Sequence, residues 1–474
     1  MDLAIRNARV ATSAGVFSGD IGVQGGRIVQ LGRVDPAVAE VDAKGLIVTP
    51  GGVDTHCHLD EVMPGMGHEA ENFGTGGRSA LAGGTTSAVS FVRQIPGHGL
   101  AAVVEESFRR AARSRIDYSF HTTITDPTPE ILAEIPSVLA KGIRSLKVFL
   151  TYDTSRLDDG AFLRVLAEAR KGGAMTAVHC ENYHAIGWLT EKLLAAGLTA
   201  PKYHAWSRPK VVEREATYRA ICLAELVDAP IQIFHVSCAE VAEEIARAQA
   251  RGLKVWGETC PQYLVLAEDH MDRPDGAGFM CSPSPRTVAD QEGMWDMIRR
   301  GVIDVISSDH SASNLTGEHG KDIAGPGASF RDIPNGVPGV GARMPLVFSE
   351  GVGKGRITLP HFVQVTATNP ARIYGLDTKG DIAIGKDADL VLWDPAREVV
   401  LDNAMMQHAV DYTPYAGMKV KGWPVATWLR GTLAMKEGEV LAPEGIGRFL
   451  PRDRYALAEP RVKVPNGFVA ADIA

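Results

Sequence analysis

The triplet His56-Cys57-His58 sets two imidazoles two positions apart. On an extended strand, positions i and i+2 share a face, so both rings can serve one ligand while Cys57 points away. Further on come Lys147, His179, His235 and Asp309. Imidazole and carboxylate bind zinc, manganese, iron and cobalt alike. Lys147 is the odd member, because it sits in the apolar run Ser145 to Tyr152 and lysine is seldom fully buried without a partner. One reading is a stem that lies on the strand while its ammonium reaches solvent. The other is a lysine carboxylated by carbon dioxide, an anionic two-oxygen ligand able to bridge two cations. Two divalent cations roughly 3.5–4 Å apart form a hydrolytic pair: they lower the pKa of a bridging water and polarise the attacked carbonyl. Asp309 would hold one of them and carry the nucleophile's proton to a leaving nitrogen.

These residues can act together only if the fold brings them to one rim. Eight runs read as strands: 47–58, 85–92, 117–125, 145–152, 175–181, 231–237, 254–260 and 303–309. They are nearly continuous in Val, Ile, Leu and Phe, as strands covered on both faces should be. Between them lie segments such as 161–171 and 239–250, whose Ala, Leu, Glu and Arg favour helix. Eight such units predict an α/β fold of the (β/α)8 TIM-barrel type, with the active site at the C-terminal ends of the strands. His56 and His58, His179, His235 and Asp309 fall late in the first, fifth, sixth and eighth strands, and Lys147 interrupts the fourth. Alternating stretches at 19–29 and 385–432 predict a small β-sandwich domain built from residues 1–50 and 378–445, around a barrel over 51–377. The tail 446–474 has no clear period; an arm onto a neighbouring subunit and a loose end are both open for it.

Composition narrows the class of partner. With 45% hydrophobic and 22% charged residues, the 474-residue chain can bury a large core. A net charge of -8 without any basic block argues against nucleic acid. No apolar run approaches the roughly 18 residues of a membrane span, and the opening MDLAIRNARV does not read as a signal peptide. Six cysteines without a CxxC pair suit free thiols in a cytoplasmic protein.

Several stretches together resemble the amidohydrolase superfamily and, within it, the dihydropyrimidinase/hydantoinase group of cyclic amidases. They are Pro50 to His58, Ala82 to Thr86, Lys147, Val178 to Asn182, His204 to Pro209, His235 to Ser237, Gly257 to Leu264, Cys281 to Pro283, Ser308 to His310 and Ile333 to Gly339. The resemblance implies two metal ions, zinc first among the candidates, bridged by carboxylated Lys147. One is held also by His56, His58 and Asp309, the other by His179 and His235. It further implies that Tyr152 hydrogen-bonds the oxyanion, and that backbone groups of Ser282 and Asn335 bind the amide edge of the ring. The implied reaction is opening of a dihydropyrimidine, hydantoin or related cyclic ureide or imide by a metal-bridging hydroxide, in a homotetramer or dimer. Allantoinase or another cyclic imide hydrolase is the alternative within enzymes; a non-catalytic scaffold of the same fold is the alternative outside them.

Two departures bear on substrate. Leu59-Asp60-Glu61 follows the triplet where dihydroorotases and allantoinases place Leu-Arg, and an acidic Asp60 would repel a substrate carboxylate. The segment Met63 to Gly67 lacks the bulky residue the group often carries there. His121 reads as structural, Cys180, Cys260 and Cys281 as small apolar fillers beside the site, and Trp423 and Trp428 as core of the β domain.

Overall fold

The computed structural model describes residues 1–63, 67–68, 70–317 and 320–461. Eight parallel strands form the central sheet: β1 (Gly52–Asp54), β2 (Thr85–Arg93), β3 (Asp117–Thr123), β4 (Ser145–Phe149), β5 (Met175–His179), β6 (Ile231–Ile233), β7 (Val255–Thr259) and β8 (Ile303–Ile306). Spatial order follows chain order, as right-handed βα units require. The helices between them bury one stripe. In Asp159–Gly172, Phe162, Val165, Leu166 and Ala169 face the sheet, Asp158 caps the start by accepting from Ala161 N at 2.7 Å, and left-handed Gly173 ends it.

The seam between β8 and β1 closes just past the strand ends. His58 N donates to His310 O at 2.7 Å, and Ser308 N to Asp54 Oδ1 at 3.1 Å. Arg343, fully buried on the helix Val340–Val347, donates to Val53 O at 3.3 Å and Ile306 O at 3.0 Å. Its guanidinium lies 3.6 Å from Asp54 Oδ2. One buried ion pair thus spans the seam and fixes the two strand ends that carry the His56-His58 pair and Asp309.

The two chain ends build a second, nine-stranded mixed sheet. Ile47–Pro50 pairs antiparallel with the start of Leu390–Val400, which joins the N-terminal strands to the C-terminal ones. The sheet curls until its far turns meet, with Ala388 N donating to Gly26 O at 2.8 Å, and encloses a core that includes Ile5, Ile21, Val48, Leu390 and Trp428. Trp423 instead packs with Leu266, Phe279, Phe330 and Tyr415 against the barrel loops, so only Trp428 belongs to the small sheet's core.

The first candidate strand, 47–58, proves to be two. Ile47–Pro50 belongs to the small sheet and Gly52–Asp54 to the barrel. Gly51 makes the crossing possible: a Cβ there would lie 2.2 Å from Thr86 Oγ1. The described tail, 446–461, lies across its own barrel rather than projecting from it. Tyr118 N donates to Arg448 O at 2.9 Å, Leu450 N to Tyr118 O at 2.7 Å, and Arg452 Nη1 to Ser145 Oγ at 2.9 Å. These are the N-terminal ends of β3 and β4, so the tail crosses the barrel floor, opposite the rim of proposed ligands. Residues 462–474, and Pro64 to Met66 of the Met63 to Gly67 segment, lie outside the described residues.

Candidate metal centre

The C-terminal rim gathers every side chain that the sequence singles out for the site. His56, His58, Lys147, Tyr152, His179, His235, Ser282, Asp309 and Asn335 all line one cavity of about 190 Å³. Ligand atoms of His56, His58 and Asp309 lie within 4.8 Å of one another. His56 Nε2 is 2.9 Å and His58 Nε2 3.5 Å from Asp309 Oδ1. Cys57 turns the other way into the barrel's outer core, as strand alternation requires.

The outer nitrogens of three histidines are held by buried glutamates. His56 Nδ1 sits 2.7 Å from Glu258 Oε1, His58 Nδ1 2.5 Å from Glu61 Oε2, and His179 Nε2 2.8 Å from Glu181 Oε2. A carboxylate only accepts, so it keeps the proton on the nitrogen it faces and leaves the other as a bare ligand atom. Burial pushes the Glu61 carboxyl up, but His58 and Arg93 outweigh it and the net shift is downward, which favours the ionised form. For Glu258, burial prevails over the pull of His56 and raises it. Burial, with nearby Lys147 and His179, drives the His179 and His235 rings well below the usual imidazole range, so both are neutral donors at pH 7. For Asp309, burial is outweighed by His56, His58 and His235, which hold its carboxyl well below the ordinary range.

Lys147 is fully buried and its Nζ has no hydrogen-bond partner among the described residues. It stands over the faces of Phe234 at 4.2 Å and Phe149 at 4.7 Å, so its ammonium does not reach solvent. Burial lowers its pKa from 10.5 to about 8, against the pull of Asp309 and Glu258. His235 Nδ1 is likewise buried without a partner. Among the described residues, two buried nitrogens without partners thus stand beside the His56–His58–Asp309 cluster, where cations and a lysine carboxylate would satisfy them. The donor set therefore fits a pair of divalent cations.

Backbone geometry sharpens the rim. Tyr152, His235 and Asp309 adopt φ of 74°, 42° and 47°, the left-handed region that L-residues avoid. Each costs about 1–3 kcal/mol, sustained by the surrounding packing. The strands end before these residues, and the turn aims each side chain inward; a regular strand would not place consecutive ligands so. Burial raises the Tyr152 phenol, which keeps it protonated and able to donate. Ser282 Oγ donates to Asn335 Oδ1 at 3.3 Å, and Gly336 at φ 118° lets that loop approach Ser311, where a Cβ would lie 2.7 Å from Ser311 Cβ.

Other expectations are settled by contacts. His121 is tied to Ser145 Oγ at 2.6 Å and Thr55 O at 2.9 Å beneath the cavity, a structural role. Cys180, Cys260 and Cys281 are buried, and burial lifts their thiols, that of Cys281 to about 12. They remain protonated fillers. Asp60 does not line the cavity: its carboxylate lies 4.0 Å from Arg110 on the outer side of the rim. The expected repulsion of a substrate carboxylate by Asp60 therefore fails, because the turn at its φ of 55° swings Glu61, not Asp60, toward His58.

Sequence reasoning missed Glu61, Glu181, Glu258 and Arg93. The first two were within reach, three residues after His58 and two after His179. Glu258 meets His56 across 202 positions of chain, which only the closed barrel brings about.

With this geometry in view, the amidohydrolase family model matches residues 47–434. The chain belongs to the amidohydrolase family. It is 42% identical over 463 residues to a D-hydantoinase of Rhizobium radiobacter, covering 96% of this chain and 100% of that one. Among solved structures, it superposes on a D-hydantoinase with a TM-score of 0.93 at 41% identity, and on the dihydropyrimidinase of Brevibacillus agri with 0.93 at 38%. Each covers 96% of this member of the family and 100% of the neighbour's chain.

Proposed function

We propose that this amidohydrolase is a two-metal cyclic amidase that opens the ring amide of a hydantoin, a dihydropyrimidine or a related cyclic ureide or imide. The observation that carries the reading is Lys147: a buried lysine nitrogen with no hydrogen-bond partner among the described residues, set among four histidines and an aspartate. His56, His58 and Asp309 would hold one ion, His179 and His235 the other, with carboxylated Lys147 between them. Zinc suits these ligands first; manganese, iron and cobalt also fit. Such a pair, when bound, activates a water and polarises the carbonyl under attack.

The chain's own groups do the rest. Asp309 accepts the nucleophile's proton and passes it to the ring nitrogen as the C–N bond breaks. Protonated Tyr152 donates to the carbonyl oxygen as charge builds on it. Ser282 and Asn335 hold the amide edge and so turn the scissile carbonyl toward the metal side. The same reading takes residues 1–50 with 378–445 as the small β domain and 51–377 as the barrel. It also takes the protein as a cytoplasmic homotetramer or dimer; its six cysteines are free thiols, and among the described residues no helix is long and apolar enough to cross a membrane. A scaffold role gains nothing from a complete set of six ligands.

Turnover of dihydrouracil, a 5-substituted hydantoin, allantoin and succinimide should show clear opening of the hydantoin or dihydrouracil, by protein carrying about two divalent ions per chain. Preference for allantoin or succinimide would shift the assignment to the alternative. Purified protein with no divalent metal and an unmodified Lys147 by mass spectrometry would sink the enzyme reading.

A further inference from the structure

We infer that the exocyclic substituent of the ring substrate carries an anionic, carboxylate-type group, recognised by Arg93 at the end of β2. The inference rests on the cyclic amidase reading and names the substrate class for it.

The cavity has three walls. The proposed metal ligands form one. Ser282, Asn335 and Gly336, on loops after β7 and β8, form the second. The third is Arg93 at the end of β2, Phe149 at the end of β4, and Thr154 and Ser155 on the loop after β4, and thus on the opposite arc of the barrel. A ring pinned by its amide edge on the second wall, with its carbonyl at the metals, turns its remaining carbon toward the third. Among the described lining residues no side chain is aliphatic; Phe149 and the ring of Tyr152 are the apolar surface. The third wall instead presents a guanidinium and two hydroxyls, with Thr154 Oγ1 and Ser155 Oγ 3.4 Å apart.

Arg93 is held in place without being used up. Its side chain is 10% exposed, its Nη2 donates to Ser155 Oγ at 2.5 Å, and its Nη1 lies 3.3 Å from Glu61 Oε1. Glu61 shares its two oxygens between Arg93 and His58, the latter at 2.5 Å, so it meets only one edge of the guanidinium. Each terminal nitrogen of a guanidinium carries two N–H groups, so one partner at each leaves donors over for a ligand. A carboxylate can take two of them in the forked geometry that suits arginine. A hydrocarbon substituent could lie on Phe149, but it would strip water from the guanidinium and hydroxyls without replacing their hydrogen bonds.

The test compares substituents of matched length on one ring. Wild-type holoenzyme is assayed with 5-(2-carboxyethyl)hydantoin, 5-butylhydantoin, and unsubstituted hydantoin and dihydrouracil. The expected result is a preference of at least about tenfold in kcat/KM for the carboxyethyl over the butyl compound, carried by KM. In Arg93→Leu that ratio should fall at least tenfold, and Arg93→Lys should keep part of it. A wild-type enzyme that opens the butyl compound as well as the carboxyethyl one overturns the inference, whatever the variants do. So does an unchanged ratio in Arg93→Leu. If the unsubstituted rings are opened in either case, the amidase reading stands and only the role of Arg93 falls. If no ring is opened at all, both fall.

Discussion

Two lysines in this protein are buried to the same degree in opposite company. Lys147, at the barrel mouth, faces two phenylalanine rings and has no hydrogen-bond partner among the described residues. Lys379, where the barrel floor meets the small sheet, has Asp117, Asp389 and Asp387 oxygens at 2.6, 2.8 and 3.1 Å. Burial lowers Lys147 to about 8. Burial pulls Lys379 down too, but its three carboxylates outweigh that and hold it above the ordinary lysine range. A buried cation kept for stability comes with its counter-charges built in. A third, Lys321, meets no carboxylate among the described residues but donates to Pro334 O at 2.8 Å and Met280 O at 3.3 Å; Lys147 has neither kind of partner there, which marks it for covalent or metal chemistry. The contrast separates the region that holds the molecule together from the region that works.

The largest expected effect is on the working side. Lys147→Ala should lose bound metal and activity together, by on the order of 10³-fold or more, beyond the loss of a single oxyanion donor. Metal content and kcat/KM on the same preparation check it; full activity with both ions retained would erase the distinction between the two lysines. Lys379→Met should do the reverse. It leaves three buried aspartates facing one another, which costs about 3–5 kcal/mol of stability, while activity per folded, metal-loaded molecule stays near wild type. Urea unfolding beside active-site titration reads both quantities.

pH sharpens the contrast through its sign. In metal-free protein, between about pH 8 and 10.5, the unfolded chain keeps the Lys147 proton that the folded chain has released. Stability should therefore rise with pH across that window, by up to about 3 kcal/mol. Lys379 has a raised folded value, so its contribution is complete below about pH 10.4 and fades only as pH climbs through that higher value. Unfolding curves of the metal-free variants should show the rise gone in Lys147→Met and present in Lys379→Met. The smallest effect belongs to the arm that holds a ligand histidine. Glu61→Gln keeps a hydrogen bond to His58 but not the negative charge, and should weaken metal binding by about 10–100-fold in a chelator competition. Equal affinity would reduce Glu61 to packing.

Much of this was legible in order along the chain. The His-X-His spacing, the strand-and-helix alternation and an apolar run broken by Lys147 were enough for the barrel and for the side chains that meet at its rim, because strand periodicity is local physics. The split of 47–58 between two sheets was not, since Gly51 matters only when Thr86 comes up beside it. Nor was the direction of Asp60. From sequence it looked like a negative charge at the pocket; a left-handed turn sends it toward Arg110 and brings Glu61 to His58 instead.

The sequence by itself determined which groups are available and in which strands they stand. Tertiary structure alone decided their charge environment. Whether a buried lysine is paired depends on residues hundreds of positions away, as Asp117 is from Lys379, and so does whether a histidine meets a carboxylate, as His56 meets Glu258. Electrostatics at a few ångströms is set by closure of the barrel and its Asp54–Arg343 seam, and no local pattern in the chain encodes that distance.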